Sequence, residues 1–132
     1  MPNPKKKARQ LVAMVLVDTS IWVSHLRIGD VHLSALLQEE EVLCHPFIVG
    51  ELACGNIKNR TEVITLLQAL PMARMAKNEE VLRFIESHGL MGAGLGLIDV
   101  HLLASALLSK TPLWTTDKPL REASVKLNFA YQ

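Results

Sequence analysis

Residues 14–22, MVLVDTSIW, constrain the fold more than any other stretch of this chain. Val15, Leu16 and Val17 run without interruption into Asp18, and Thr19 and Ser20 lead into a second apolar run. A short continuous apolar run reads as a strand buried on both faces, the kind found in parallel sheets. Asp18 then stands at the carboxyl end of that strand, the edge at which open α/β sheets bind ligands. A carboxylate against a sheet core is costly unless a cation or hydrogen-bond donors lie beside it. The rest of the chain must supply companions for Asp18.

Past Asp18 the apolar spacing turns helical. Ile21, Trp22 and Leu26 share a face, Thr19 or Ser20 can cap the start, and Gly29-Asp30 breaks the helix. A second helix spans 31–40 and ends in the acidic Glu39, Glu40 and Glu41, read as a solvated helix end. Val42, Leu43 and Cys44 form a second short strand. Pro46 suits the first turn of a helix over 47–56, in which Glu51 is the one charge of FIVGELACG. Helices over 61–70, closed by Pro71, and around 81–85, ended by Gly89, follow. Gly92, Gly94 and Gly96 lack a preceding strand and the full phosphate-binding fingerprint, so they read as a flexible lead-in to a helix. That helix, 97–109, is apolar on nearly all sides and carries Asp99 as its sole acid. Residues 112–114 run through Thr115 and Thr116 to Asp117, a second apolar run ending in an acid. A last helix over 120–127 and a terminal strand over 129–131 complete the pattern. Strands alternating with helices define an α/β protein with a parallel sheet.

At 132 residues the chain is about one domain, and 49% hydrophobic residues suit a packed core rather than disorder. Lys5, Lys6, Lys7 and Arg9 concentrate positive charge near the start. Residues 1–13 are read as a basic, disordered leader and 14–132 as the folded domain. Without those four bases the chain has ten bases against thirteen acids, a balance of −3, so net charge gives no argument for nucleic acid. The apolar part after the leader is too short and lacks a cleavage site for a signal peptide. Residues 92–108 contain Asp99 and His101, so no membrane span is expected. Cys44 and Cys54 are read as two buried thiols of a cytoplasmic protein.

Four acids lie in apolar settings: Asp18, Glu51, Asp99 and Asp117. Two end predicted strands and two lie near predicted helix starts, and in a right-handed parallel unit these share one edge of the sheet. Carboxylates crowded there cannot all stay ionised alone, and a divalent cation relieves them. Oxygen ligands suit magnesium or manganese, which polarise phosphoryl oxygens and activate water. Each acid also has a plainer reading. Asp18 and Asp99 can cap helices, Glu51 can pair with Arg27 or Lys58, and Asp117 can be a turn residue. Ser20, Thr115 and Thr116 can support a water at such a site or simply cap. The five histidines lack zinc spacing, and there is no nucleophile elbow around a serine. An aspartyl phosphotransferase would want a second acid two residues after Asp18, where Ser20 stands.

LVDTSIWVSHL, PFIVGELACG, GLGLIDVHLLASALL and LWTTDKPL, in this order, resemble the PIN-domain ribonucleases, particularly the VapC-like toxins of bacterial toxin–antitoxin pairs. The resemblance implies a three-layer α/β/α sandwich around a parallel sheet of four to five strands. It implies a Mg2+- or Mn2+-dependent endoribonuclease, with Asp18, Glu51 and Asp99 holding the metal and Asp117 completing the set. Thr115 matches the small hydroxyl residue two before that last acid. An RNA substrate, a homodimer and an antitoxin covering the acidic cleft are implied as well. With the body net negative, RNA would be held by local patches such as Arg27, Lys58, Arg60 and Lys118. The alternative is a non-catalytic RNA- or protein-binding module of the same fold.

Overall fold

A computed structural model describes residues 13–132, so the leader expected over 1–13 lies, but for Ala13, outside the described residues. The elements run β1 (Val15–Val17), α1 (Thr19–Ile28), α2 (Val31–Gln38), β2 (Val42–Leu43), α3 (Pro46–Cys54), α4 (Arg60–Ala69), α5 (Asn78–Ser87), α6 (Leu97–Ser109), β3 (Leu113–Trp114) and α7 (Lys118–Lys126). β1 is central in the order β2-β1-β3, and both pairings are parallel. All three residues of β1 are buried, as expected of a strand covered on both faces. Helices flank this sheet in a three-layer α/β/α arrangement. α3 packs on α1 and α4, while α6 packs on α5, α7 and β3.

The sheet is narrower than the four to five strands expected. Beyond each outer strand, one further segment pairs through a single residue, Met72 with Cys44 and Ala130 with Leu113. Two backbone bonds secure each pairing: Cys44 N–H to Pro71 O and Ala73 N–H to Cys44 O, both 2.8 Å, and Leu113 N–H to Phe129 O at 2.8 Å and Tyr131 N–H to Leu113 O at 3.0 Å. Pro71 has no N–H to extend a ladder, and Asn128, at φ 67°, still turns the chain out of α7 just before Phe129. The terminal strand expected over 129–131 is therefore one pairing.

α6 is the central helix. Val100 through Ala106 are all buried, which follows from an apolar surface on every side. Leu102 and Leu103 have no exposed surface, and burial of such a side chain stabilises by roughly 1.5–3 kcal/mol. α1 starts at Asp18 itself, whose side chain accepts from Ser20 N–H, and not at a Thr19 or Ser20 cap. Gly29 ends α1 at φ 79°, a conformation glycine adopts without strain. Both cysteines are free. Cys44 is buried, and burial pushes its thiol up to about 11, whereas Cys54 is exposed, against expectation, because it ends α3 facing solvent. Among the described residues no helix is long and apolar enough to cross a membrane.

Candidate active site

Parallel strands bring the carboxyl ends of β1 and β3 to one edge. Asp18 N–H donates to Trp114 O at 2.9 Å, so the acid that follows β1 lies against the end of β3. Asp18 is only 6% exposed. Its Oδ2 accepts from the Ser20 hydroxyl and the Thr115 hydroxyl, each at 2.8 Å, and from Ser20 N–H at 3.3 Å. Among the described residues no donor meets Oδ1, which leaves that oxygen for a ligand. The supporting hydroxyls are themselves held. Thr116 N–H donates to Ser20 Oγ and Asp117 N–H to Thr115 Oγ1, both at 3.0 Å. Ser20 and Thr115 thus fix the carboxylate directly, while Thr116 contributes its backbone.

Asp117 caps α7 by accepting from Leu120 N–H at 3.2 Å. Asp99, in the first turn of α6, accepts from Gly96 N–H at 3.0 Å. Asp18, Asp99 and Asp117 therefore all serve as helix-start residues, the plainer reading of Asp18 and Asp99 and a cap in place of the turn expected at Asp117. Burial raises the Asp99 carboxyl above its ordinary value. The Gly96 hydrogen bond opposes that shift, and the negative charges of Asp117 and Asp18 add to it. A methyl placed on Gly94 would meet Pro119 at 3.7 Å, and Gly94 has φ 78°. The glycine-rich turn thus packs against the first turn of α7, which is how Asp99 and Asp117 become neighbours.

Glu51 is placed differently. It lies on the exposed side of α3, not in an apolar setting, and accepts from the Thr19 hydroxyl at 2.8 Å. It joins the site at its rim through the residue next to Asp18, and the charges acting on Asp99 do not include it. His101, two residues from Asp99, is buried against the Phe47 ring at 4.8 Å, away from the acids. His45, which sequence reasoning passed over, is fully buried. Its Nδ1 caps α3 through Phe47 N–H at 3.0 Å. Its position immediately before Pro46 was the available signal.

The oxygen donors suit a hard divalent cation. Among the described residues no three His, Cys, Asp or Glu side chains form a ready metal cluster. Magnesium is commonly held by one or two carboxylates with water completing its shell, a demand that Asp18 and Asp99 can meet. Burial first, and then the charges of Asp117 and Asp18, hold the Asp99 carboxyl above its ordinary value, and a cation beside it would offset both.

Fold and acidic edge define a PIN domain: the chain belongs to that family, whose pattern matches residues 15–126. It is similar to Ribonuclease VapC32 of Mycobacterium tuberculosis, in both the CDC 1551 / Oshkosh and the ATCC 25618 / H37Rv strains. Each is 44% identical over 118 residues, covering 89% of this chain and 95% of the relative.

Proposed function

We propose that this chain is a metal-dependent endoribonuclease, the toxin of a toxin–antitoxin pair. The observation that carries the reading is the buried Asp18 at the joined ends of β1 and β3, one oxygen fixed by the Ser20 and Thr115 hydroxyls and the other left for a ligand. Similarity to a ribonuclease along nearly the whole chain supports RNA as the substrate.

In this reading Asp18, Glu51, Asp99 and Asp117 hold Mg2+ or Mn2+, with Asp18 and Asp99 as the inner pair. When bound, the ion polarises a phosphoryl oxygen and lowers the pKa of a water. Asp18 offers Oδ1 because its other oxygen is occupied by Ser20 and Thr115. Asp117 orients the attacking water, and Glu51, steadied by Thr19, acts from the rim. Ser20 and Thr115 are positioning residues, holding Asp18 in one rotamer. The protein works in the cytoplasm as a homodimer, and a cognate antitoxin silences it by covering the acidic edge.

The test is cleavage of a mixed-sequence RNA by the purified chain. Cleavage should stop in EDTA and return with excess manganese or magnesium. Turnover that continues unchanged in chelator would overturn the metal assignment, and no cleavage under any divalent ion would overturn the nuclease.

A further inference from the structure

Two clefts share residues with the acidic edge. One, of about 450 Å³, includes Thr19 and Glu51 and is lined by Arg27 and Lys58 over an apolar floor of Val23, Leu26 and Ile57. The other, of about 530 Å³, includes Thr116 and is lined by Lys118, Arg121 and Lys126, with Glu122 as its one acid. Thr19 and Thr116 are the two residues that bracket the Asp18 support: Thr19 follows Asp18 in the chain, and Thr116 N–H bonds Ser20 Oγ.

All five cations are exposed, and among the described residues none is taken by a carboxylate. Arg60, a basic residue named from the sequence, lines neither cleft; its Nη2 donates to Ala53 O at 3.0 Å. The positive charge beside the acids is thus gathered in two places on a body whose balance beyond the leader is negative. Phosphates need cations, and an unstacked base needs an apolar bed. The first cleft has both.

We infer that the RNA strand crosses the acidic edge from one cleft to the other, with Arg27 and Lys58 gripping phosphates on one flank and Lys118, Arg121 and Lys126 on the other. The inference rests on the nuclease reading and deepens it. It replaces Arg60 with Arg121 and Lys126. A protein with an acidic segment is the competing occupant. The apolar floor beside Arg27 and Lys58, and the approach of both clefts to the Asp18 support through Thr19 and Thr116, favour a polymer of phosphates.

The test uses a fluorescent single-stranded RNA oligonucleotide and the full-length Asp99→Asn protein in EDTA, so that binding is read without turnover. Arg27→Ala/Lys58→Ala and Lys118→Ala/Arg121→Ala should each lower the slope of log affinity against log salt by about 1.4. At about 0.1 M salt each should weaken binding roughly 10- to 30-fold. A control pair, Arg83→Ala/Lys110→Ala, removes equal charge outside both clefts and should leave the slope in place. Circular dichroism checks that every variant is folded. Unchanged slopes in both cleft variants overturn the inference and leave the clefts to a protein, and an equal fall in the control overturns it too. Failure of the wild type to cut RNA with manganese would sink the nuclease reading alone, because these slopes are measured without catalysis.

Discussion

Thr115 donates a 2.8 Å hydrogen bond to Oδ2 of Asp18 across 97 positions of the chain. That bond joins the end of β3 to the end of β1 and selects which carboxylate oxygen remains for a ligand. The same hydroxyl accepts from Asp117 N–H, so one side chain orders two acids.

Thr115→Val keeps the shape and removes both bonds, together with the 3.2 Å contact between the Thr115 and Ser20 hydroxyls. Stability should fall by roughly 1–3 kcal/mol, since the buried carboxylate loses a donor and Asp117 N–H an acceptor. RNA cleavage should fall about tenfold or more as Asp18 gains freedom. Combined with Ser20→Ala, the effects should not add, because both hydroxyls serve one oxygen. Additive losses in melting and in cleavage would show that the two supports act independently.

Asp99→Asn retains an oxygen for Gly96 N–H and removes the partly buried charge on which Asp117 and Asp18 act. Without divalent ions the variant should melt no lower than the wild type. Cleavage should drop at least about 100-fold, a loss in the range of removing one catalytic electrostatic group. A variant that cleaves at the wild-type rate would remove Asp99 from the chemistry.

Glu51→Gln tests the rim. Glu51 is exposed, and the hydrogen bond it accepts from the Thr19 hydroxyl survives with an amide oxygen. The melting temperature should hold, with a stability change within about 0.5 kcal/mol. Cleavage should nevertheless fall, and more manganese should be needed for half-maximal rate. An unchanged metal titration would place Glu51 outside the site.

His45 sets an acid limit on the fold. Its Nδ1 accepts from Phe47 N–H, so Nε2 carries the proton and donates to Ser105 Oγ at 3.1 Å. Burial first, then the charge of nearby His101, lowers its pKa from 6.5 to about 4. Between those values the unfolded chain binds a proton that the folded chain refuses. Stability from this group is thus complete above the unfolded pKa and is lost as pH falls toward the folded one, by about 3 kcal/mol. Urea midpoints at neutral and mildly acidic pH should show that loss in the wild type and a flatter profile in His45→Gln. Parallel profiles would clear His45 of the effect.

The local elements were legible because local chemistry dictates them. The uninterrupted Val15, Leu16 and Val17 read as a doubly covered strand and form one, and the helix read over 97–109 spans the same residues as α6. Pro46 and Gly29 marked helix ends through their own backbone restrictions. Sheet width was not legible, since a pairing of one residue, as at Met72 or Ala130, leaves no periodic signature. The exposure of Glu51 was hidden for a related reason: apolar neighbours in sequence spread around a helix, so they do not report which side faces water.

The order of the residues alone offered Asp18 and Asp99 as helix starts, because a carboxylate beside free amide groups is favoured wherever a helix begins, and read Asp117 as a turn residue ahead of the last helix. It also determined that two of them would follow strands. Only the tertiary structure decided that the charges of Asp117 and Asp18 act on Asp99 and that Glu51 stands at the rim. That arrangement depends on the parallel register of β1 and β3 and on the contact of Gly94 with Pro119, which bring together segments far apart along the chain.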